Sequence, residues 1–416
     1  MQTTKSLLIA TLSLAMLIVA LPFAGSAVGS GSSEKILYSF SGGSDGAYPV
    51  GALVADKAGN LYGTTSEGGS SNCSSGCGVV FELTSPSTQG GAWTETVLYR
   101  FTGGSDGAAP ESNLIFDAVG NLYGTTAGGG DASSDGTVFQ LTPPSSQGGA
   151  WTETALYRFA GGSDGKIPLA GLVFDPAGNL YGTTLFGGTT SAGTVFRLMP
   201  PATQGGAWTE TVLHTFGRGN DGIDPEAGLI LDSRGALYGT TTSGTVFKLT
   251  PPAWNEKVLF SFTGGGNNGS WPCALISRQG SIFGLTRLGG SLTNTGTAFQ
   301  LEPSSGGGAW TETTLYSFTG GNDGGEPCGP LVSDQAGNLY GTSSGNGLNI
   351  PGTVFKLTSP GTQGGAWAEI TLHKFGGSND GLSPVAGVIF GRGGALYGTT
   401  SGGGASGKGT VFREAP

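Results

Sequence analysis

Carboxylates recur at one fixed place in the sequence, inside a repeated Gly-Gly-x-Asp-Gly motif. Hard cations such as Ca²⁺ take several oxygen ligands, so one interpretation is a ring of calcium-binding carboxylates. The other is a tight turn, in which Asp bonds its own backbone and Gly accepts a positive φ. Each loop carries one or two carboxylates, whereas a calcium loop concentrates several, which favours the turn. The series contains Asp45, Asp106, Asp164, Asp221, Asp323 and Asp380, with Asn268 in the fifth copy.

A second candidate site is formed by residues that break the repeat. Asp221, Asp224 and Glu226 lie together in Asp-Gly-Ile-Asp-Pro-Glu, and Trp271 and Arg287 belong to the following copy. We expect these five residues to line a ligand groove. The alternative is a surface with ordinary solvated charges. Asp224 and Glu226 are also the pair to test for glycan hydrolysis, which uses two carboxylates roughly 5–10 Å apart.

The four cysteines and two histidines complete the reactive side chains. We predict disulfides between Cys73 and Cys77 and between Cys273 and Cys328, because all four lie in a chain that we expect to be exported. For the second pair, buried free thiols are the alternative. His214 and His373 each replace the Tyr of a repeated Leu-Tyr-x-Phe motif. Separated in this way, they form no zinc signature.

Composition excludes several classes of protein. Of 416 residues, 82 are glycine and only 11% are charged, and the formal net charge is −10. The acidic balance argues against a nucleic-acid partner, which would require a basic surface. Hydrophobic residues make up 37% of the chain, too many for simple disorder. No Gly-Lys-Ser/Thr phosphate loop is present, and a nucleophile elbow is not credible without helices.

The elements that must position these residues are seven copies of one unit. Each copy carries Leu-aromatic-x-Phe, then Tyr-Gly-Thr-Thr, then Gly-Thr-Val-Phe or a variant of it. Within each copy we expect four short strands rich in β-branched and aromatic residues, separated by turns; the second strand of the first copy is expected at 51–56. Four short strands repeated every ~40–60 residues predict an all-β, seven-bladed β-propeller. A β-solenoid is the second choice. The first motif begins at Leu37, Leu98, Leu156, Leu213, Leu259, Leu315 and Leu372.

Two features of the ring follow from the order of these motifs. The last copy lacks its own outer strand, so the segment 34–40 is expected to fill that place and close the ring. The loops between Tyr-Gly-Thr-Thr and Gly-Thr-Val-Phe should share a face with the Gly-Gly-x-Asp-Gly loops. In the fourth copy that loop shrinks to Thr242 and Ser243. This leaves a notch beside Asp224 and Glu226.

The first 27 residues have the pattern of a secretory signal peptide: Lys5, an apolar run from Leu7, and Gly25-Ser26-Ala27 at the cleavage position. A single membrane anchor is the alternative. We therefore expect a signal peptide at 1–27, a linker at 28–33 and one propeller domain at 34–416. The mature chain is expected to be extracellular or periplasmic, monomeric and without a transmembrane segment.

The repeated unit resembles the GloVer (Gloeobacter/Verrucomicrobia) tandem repeats of exported bacterial proteins. The resemblance rests on Leu-Tyr-x-Phe-x-Gly-Gly-x-Asp-Gly, Asp-x-x-Gly-Asn-Leu-Tyr-Gly-Thr-Thr and Gly-Thr-Val-Phe-x-Leu, and covers roughly residues 34–412. It implies an exported, repeat-built protein. It supplies no catalytic motif that can be transferred to this chain.

The sequence thus favours a non-enzymatic binding scaffold for an extracellular polysaccharide or a surface protein. One alternative is a glycan hydrolase or lyase that uses acidic residues on the loop face. Another is a purely structural envelope component. No cofactor is expected apart from Ca²⁺ at the Asp series.

Overall fold

The structure is a computed structural model that describes residues 34–416 except 89, 147, 204, 218, 265–267, 291–292, 305–308, 347–348, 362–364 and 377–378. The expected signal peptide and linker lie outside the described residues. Within the described part of the chain, no helix has the length and apolar character needed to cross a membrane.

The strands form seven four-stranded antiparallel sheets arranged in a ring, which confirms the predicted seven-bladed propeller. Two short 3-10 turns, Gly162–Asp164 and Arg392–Gly394, interrupt the loops. The strands of each blade are given from the innermost outwards. Blade 1 has β2 (Val54–Ala55), β3 (Leu61–Thr65), β4 (Val79–Thr84) and β5 (Thr94–Arg100). Blade 2 has β6 (Ile115–Phe116), β7 (Leu122–Thr126), β8 (Thr137–Thr142) and β9 (Thr152–Arg158). Blade 3 has β10 (Val173–Phe174), β11 (Leu180–Thr184), β12 (Thr194–Met199) and β13 (Thr209–Thr215). Blade 4 has β14 (Ile230–Leu231), β15 (Leu237–Thr240), β16 (Thr245–Thr250) and β17 (Asn255–Ser261). Blade 5 has β18 (Gly269–Arg278), β19 (Ser281–Gly289), β20 (Thr297–Glu302) and β21 (Thr311–Ser317). Blade 6 has β22 (Val332–Ser333), β23 (Leu339–Ser343), β24 (Thr353–Thr358) and β25 (Ala368–Lys374). Blade 7 has β26 (Ile389–Phe390), β27 (Leu396–Thr400), β28 (Thr410–Glu414) and β1 (Lys35–Ser39).

The repeated motifs build the core of each blade. In blade 1, Phe81 on β4 is fully buried and contacts the ring of Phe40 edge to face, with 5.1 Å between centroids. Gly63 lies opposite Phe81 in the strand register. A Cβ atom at Gly63 would lie 2.6 Å from Cζ of Phe81, closer than carbon atoms pack. Tyr-Gly-Thr-Thr therefore requires Gly because the aromatic ring of Gly-Thr-Val-Phe covers it.

In six blades the innermost strand has two residues, fewer than the sequence indicated, whereas β18 of blade 5 has ten. We expected a strand over 51–56 in blade 1, but only Val54 and Ala55 pair with β3. Pro49 cannot donate a backbone hydrogen bond, and the carbonyl of Gly51 accepts one from the hydroxyl of Thr399 in blade 7. The residues before β2 therefore leave the sheet and line the central channel instead.

Threonine hydroxyls join neighbouring blades around this channel. In blade 1, Thr64 donates to the backbone carbonyl of Ser112 in blade 2 at 2.9 Å, in a buried position. The same bond occurs at six of the seven junctions, donated by Thr64, Thr125, Thr183, Thr240, Thr342 and Thr399. In blade 5 a buried Leu285 occupies the equivalent position.

The N-terminal strand closes the ring as predicted. β1 pairs antiparallel with β28, with Lys35 opposite Arg413 and Ile36 opposite Phe412. The four-stranded sheet of blade 7 is thereby completed by residues from both ends of the described chain. This pairing removes an open sheet edge, which would otherwise be available for aggregation.

Candidate functional site at the mouth of the central channel

The blades converge on a cavity of about 420 Å³ at the axis of the ring. All seven blades contribute to its wall the short segment that begins at a repeated Pro, here called the channel segment. It precedes the innermost strand in six blades and is part of β18 in blade 5. Thr242 and Ser344 also line it from loops after the Tyr-Gly-Thr-Thr strands, and Arg287 lines it from the second half of β19. Backbone bridges such as Ala47 to Glu67 place these loops on the same face as the Gly-Gly-x-Asp-Gly loops, as expected. The cavity therefore opens on that face.

The wall is built mainly from Gly, Ala, Pro, Leu and Val, and a few polar and aromatic side chains stand out from it. Nε1 of Trp271 donates a hydrogen bond to Oε2 of Glu226 at 3.4 Å. The guanidinium of Arg287 lies over the indole ring, 5.1 Å from its centroid, and its Nε donates to Oε2 of Glu326 at 3.1 Å. These four residues form one connected cluster across blades 4, 5 and 6.

One backbone position of the channel mouth has the same unusual conformation in every blade. The residue that immediately precedes the Pro of each channel segment adopts a left-handed conformation, with φ between 52° and 57°. This conformation costs a non-glycine residue about 1–2 kcal/mol, so the surrounding structure must hold it. The residue type differs in all seven blades: Tyr48, Ala109, Ile167, Asp224, Trp271, Glu326 and Ser383.

Hydrogen bonds on both sides of the peptide hold this position in place. The N–H of Asp224 donates to the carbonyl of Ala192 in the preceding blade at 2.8 Å, and its own carbonyl accepts from Thr242 N–H at 3.2 Å. Equivalent pairs hold Tyr48, Ala109, Ile167 and Glu326. The backbone is therefore constant, and only the side chains vary around the mouth.

The structure brings together three of the five residues predicted for the ligand groove. Glu226, Trp271 and Arg287 line the cavity. Asp224 lies at the left-handed position just outside it, where burial raises the pKa of its carboxyl group. The carboxylate of Asp221 instead bonds Nε2 of His214 at 2.9 Å and the backbone N–H of Gly217, within the turn. Ligand binding by any of them stays a prediction.

Sequence reasoning missed Glu111. This residue of blade 2 also lines the cavity, across the ring from blade 4. Burial raises the pKa of its carboxyl group, and the negative charge of Glu226 raises it further. Glu111 directly follows Pro110, just as Glu226 follows Pro225, whereas Val50, Leu169 and Val385 occupy that position in other blades. That break in the repeat is the signal that could have found it.

The Asp residues of the Gly-Gly-x-Asp-Gly motif bond to their own loops. Asp106 accepts hydrogen bonds from the backbone N–H of Thr102 at 2.8 Å, from its hydroxyl at 2.7 Å and from the hydroxyl of Tyr99 at 3.0 Å. Asp45 and Asp323 have the same three kinds of partner. Asp164 accepts from the hydroxyl of Tyr157 and from a backbone N–H. Asp380 is bonded in the same way by Nε2 of His373 and by a backbone N–H. Calcium binding at these carboxylates stays a prediction.

Both predicted disulfides are present. Cys73 is bonded to Cys77, and Cys273 is bonded to Cys328. The second bond joins blade 5 to blade 6 in the wall of the cavity.

The sequence matches the family described as the Gloeobacter/Verrucomicrobia repeat, over residues 27–244 and again over 203–412. The chain belongs to this family. No curated protein matches it significantly. Among solved structures, it is similar to a protein described as an oxidoreductase (glucose dehydrogenase) from Thermus thermophilus, with 17% identity and a TM-score of 0.42, over 74% of this chain and 96% of that one. It is also similar to a luciferin-regenerating enzyme, with 14% identity and a TM-score of 0.43, over 89% and 92% of the two chains. Neither similarity is close enough to support an argument about activity.

Proposed function

We propose that this repeat protein is an exported binding scaffold that holds a neutral or amino sugar unit of an extracellular polysaccharide at the channel mouth. The observation that carries the proposal is the cluster of Trp271, Glu226 and Arg287 at the edge of the 420 Å³ cavity. Ligand pockets are typically clefts of about 300–1,000 Å³ with an apolar wall and a few placed polar groups.

The chemistry of the cluster suits a sugar. The face of the Trp271 indole opposite Arg287 offers an apolar surface for the C–H side of a pyranose. The indole N–H donates to Glu226 and so orients that carboxylate. The Glu226 carboxylate accepts hydrogen bonds from hydroxyl groups, and these are stronger when the acceptor is charged.

The charges of the mouth select against polyanions. Glu111, Glu226, Asp224 and Glu326 lie at or beside the cavity, and Arg287 is already paired with Glu326 at 3.1 Å. Acidic polymers would therefore meet like charges, which oppose association. A neutral or cationic sugar does not meet this barrier.

The direct test is a glycan-binding screen on the mature chain, with and without Ca²⁺, followed by calorimetry on each hit. We expect Trp271→Ala and Glu226→Gln to weaken binding at least tenfold. Tyr48→Ala is the matched control, because Tyr48 is the aromatic at the same left-handed position in blade 1 and its ring lies against Lys408 instead. Unchanged affinity in Trp271→Ala would exclude this site. A surface protein would then become the candidate partner.

A second candidate function is glycan hydrolysis by Glu111 and Glu226. The observation in its favour is that burial and the charge of Glu226 both raise the pKa of Glu111. Two carboxyl groups in one cavity, one of which has a raised pKa, are the groups that glycosidases use. Release of reducing sugar from a bound glycan would support it, provided that Glu111→Gln and Glu226→Gln each abolish the release. If a glycan binds but no reducing sugar is released, the result supports a binding scaffold and contradicts hydrolysis.

A further inference from the structure

The ring closure brings together residues from the two ends of the described chain. Glu34 precedes β1, His373 lies on the outermost strand of blade 6, and Asp380 lies in the loop from blade 6 to blade 7. Each residue offers one potential ligand atom, and these three atoms all lie within 4.8 Å of one another. Nε2 of His373 is 3.0 Å from Oδ1 of Asp380. Among the described residues, no other group of three or more His, Cys, Asp or Glu side chains comes as close.

A fourth carboxylate lies beside these three groups. Lys35 pairs with Arg413 across β1 and β28, so Glu34 and Glu414 are the next residues along this register. Glu414 is fully buried. It occupies the position that a buried leucine fills in the other blades: Leu83, Leu141, Leu198, Leu249, Leu301 and Leu357. Blade packing therefore does not require a carboxylate here.

Charge makes this arrangement costly without a cation. Glu34 and Asp380 place two carboxylates beside the imidazole of His373 at a partly buried joint, and the fully buried Glu414 is next to them in the sheet. Within the part of the chain that the structure describes, no lysine or arginine forms a salt bridge with Glu34 or Asp380. One Glu34 oxygen is buried and accepts no hydrogen bond, as is also true at the equivalent Glu of four other blades, so this oxygen alone does not single out the joint. Those four residues are Glu95, Glu153, Glu210 and Glu256. Buried charges are normally paired or bound to metals.

We propose that Glu34, His373, Asp380 and Glu414, here called the clasp, bind a divalent transition-metal ion of the zinc class. Imidazole nitrogen and carboxylate oxygen are zinc ligands, with bonds of about 2.0–2.2 Å. Ligand atoms around such an ion lie roughly 3–3.5 Å apart, so small side-chain rotations from the present 4.8 Å limit would suffice for Glu34, His373 and Asp380. Glu414 lies outside that limit and would have to turn towards the other three to become the fourth ligand. The imidazole argues against Ca²⁺, which takes oxygen ligands. Bound there, the ion would join the first strand to blades 6 and 7.

The chain contains its own control. In the junction between blades 3 and 4, His214 and Asp221 form the same pair at 2.9 Å. Glu256 stands in the position of Glu34, but the residue opposite it in the strand register is Leu249. This second His-Asp pair therefore lacks the fourth carboxylate.

The test uses the full mature chain, stripped of metal with EDTA. Zinc is added, excess is removed by dialysis, and bound zinc is counted per chain. Thermal unfolding is followed with and without zinc, and Co²⁺ provides a visible absorption signature. His373→Tyr and Glu414→Leu remove clasp ligands by installing the residues that other blades hold at these positions, so both variants are expected to fold. His214→Tyr is the matched control.

We expect one zinc per chain, a higher melting temperature with zinc, and Co²⁺ absorption bands in the wild type and in His214→Tyr. At least tenfold weaker zinc binding is expected in His373→Tyr and Glu414→Leu, together with loss of the melting shift. The proposal is overturned if the wild type retains no zinc. It is also overturned if the folded His373→Tyr and Glu414→Leu variants, checked by circular dichroism, retain zinc as the wild type does, or if His214→Tyr loses it equally.

Discussion

Cys273 of blade 5 is bonded to Cys328 of blade 6 at the one junction where Leu285 replaces the threonine that joins neighbouring blades elsewhere. The other six junctions each have a threonine hydroxyl donating to the next blade's channel segment. A covalent bond therefore takes the place of a hydrogen bond at this junction, in the wall of the channel.

The two disulfides should differ in their contribution to stability. Cys273 and Cys328 are 55 residues apart, whereas Cys73 and Cys77 are 4 apart. A longer closed loop restricts the unfolded chain more, by about 4 kcal/mol for the first pair and about 2 kcal/mol for the second. We therefore expect the double variant Cys273→Ala/Cys328→Ala to lose more unfolding free energy in urea than Cys73→Ala/Cys77→Ala. Equal losses would contradict this account.

The protein should be more stable in mild acid than at neutral pH. Burial raises the pKa of Glu95, Glu153 and Glu210 from 4.5 to about 7, and a neighbouring Asp adds to the shift in each case. The folded state therefore binds more protons than the unfolded state between about pH 4.5 and 7. The resulting stabilisation is complete below about pH 4.5 and is lost as the pH rises to 7. Solvent screening at these half-buried groups reduces its size.

Melting temperatures measured at pH 5 and pH 7.5 test this prediction. The wild type should melt higher at pH 5. The triple variant Glu95→Gln/Glu153→Gln/Glu210→Gln should show a smaller difference, because a neutral amide does not titrate. A wild-type melting temperature that is the same at both pH values would refute it.

The Gly of Tyr-Gly-Thr-Thr should not tolerate a methyl group. A Cβ atom at Gly63 would lie 2.6 Å from Phe81 and 3.0 Å from Leu53. Overpacking of this kind costs about 1–3 kcal/mol. We expect Gly63→Ala to lower the unfolding free energy by that amount. Gly361→Ala is the control, because a Cβ atom there would meet no other atom within 4 Å; a similar loss in that variant would point to another cause.

The sequence predicted the blades well because each blade is specified by short motifs close together in the chain. Phe81, for example, packs on Gly63 of its own blade. The channel segments were harder to predict, because their partners lie in the neighbouring blade, as with Gly51 and Thr399. The alternation of residues in these segments is typical of a strand. Only the structure of the ring shows that they leave the sheet to bond the neighbouring blade.

Residues that meet across the ring could not be placed from the sequence alone. Glu111 and Glu226 belong to different copies, and their common channel is a consequence of closure. Glu34 and Glu414 lie at opposite ends of the domain and become neighbours only when β1 pairs with β28. The sequence places Asp380 near His373, in the same repeat, but it does not show that Glu34 joins them.

The left-handed position at the channel mouth has a consequence for diversification. Seven different side chains, from alanine to tryptophan, occupy the same left-handed backbone conformation. Changing these seven residues should alter the surface of the channel mouth while the seven blades are kept. The ring is thus a suitable template for a combinatorial binder library with seven variable positions, of which Trp271 and Glu326 are coupled through Arg287.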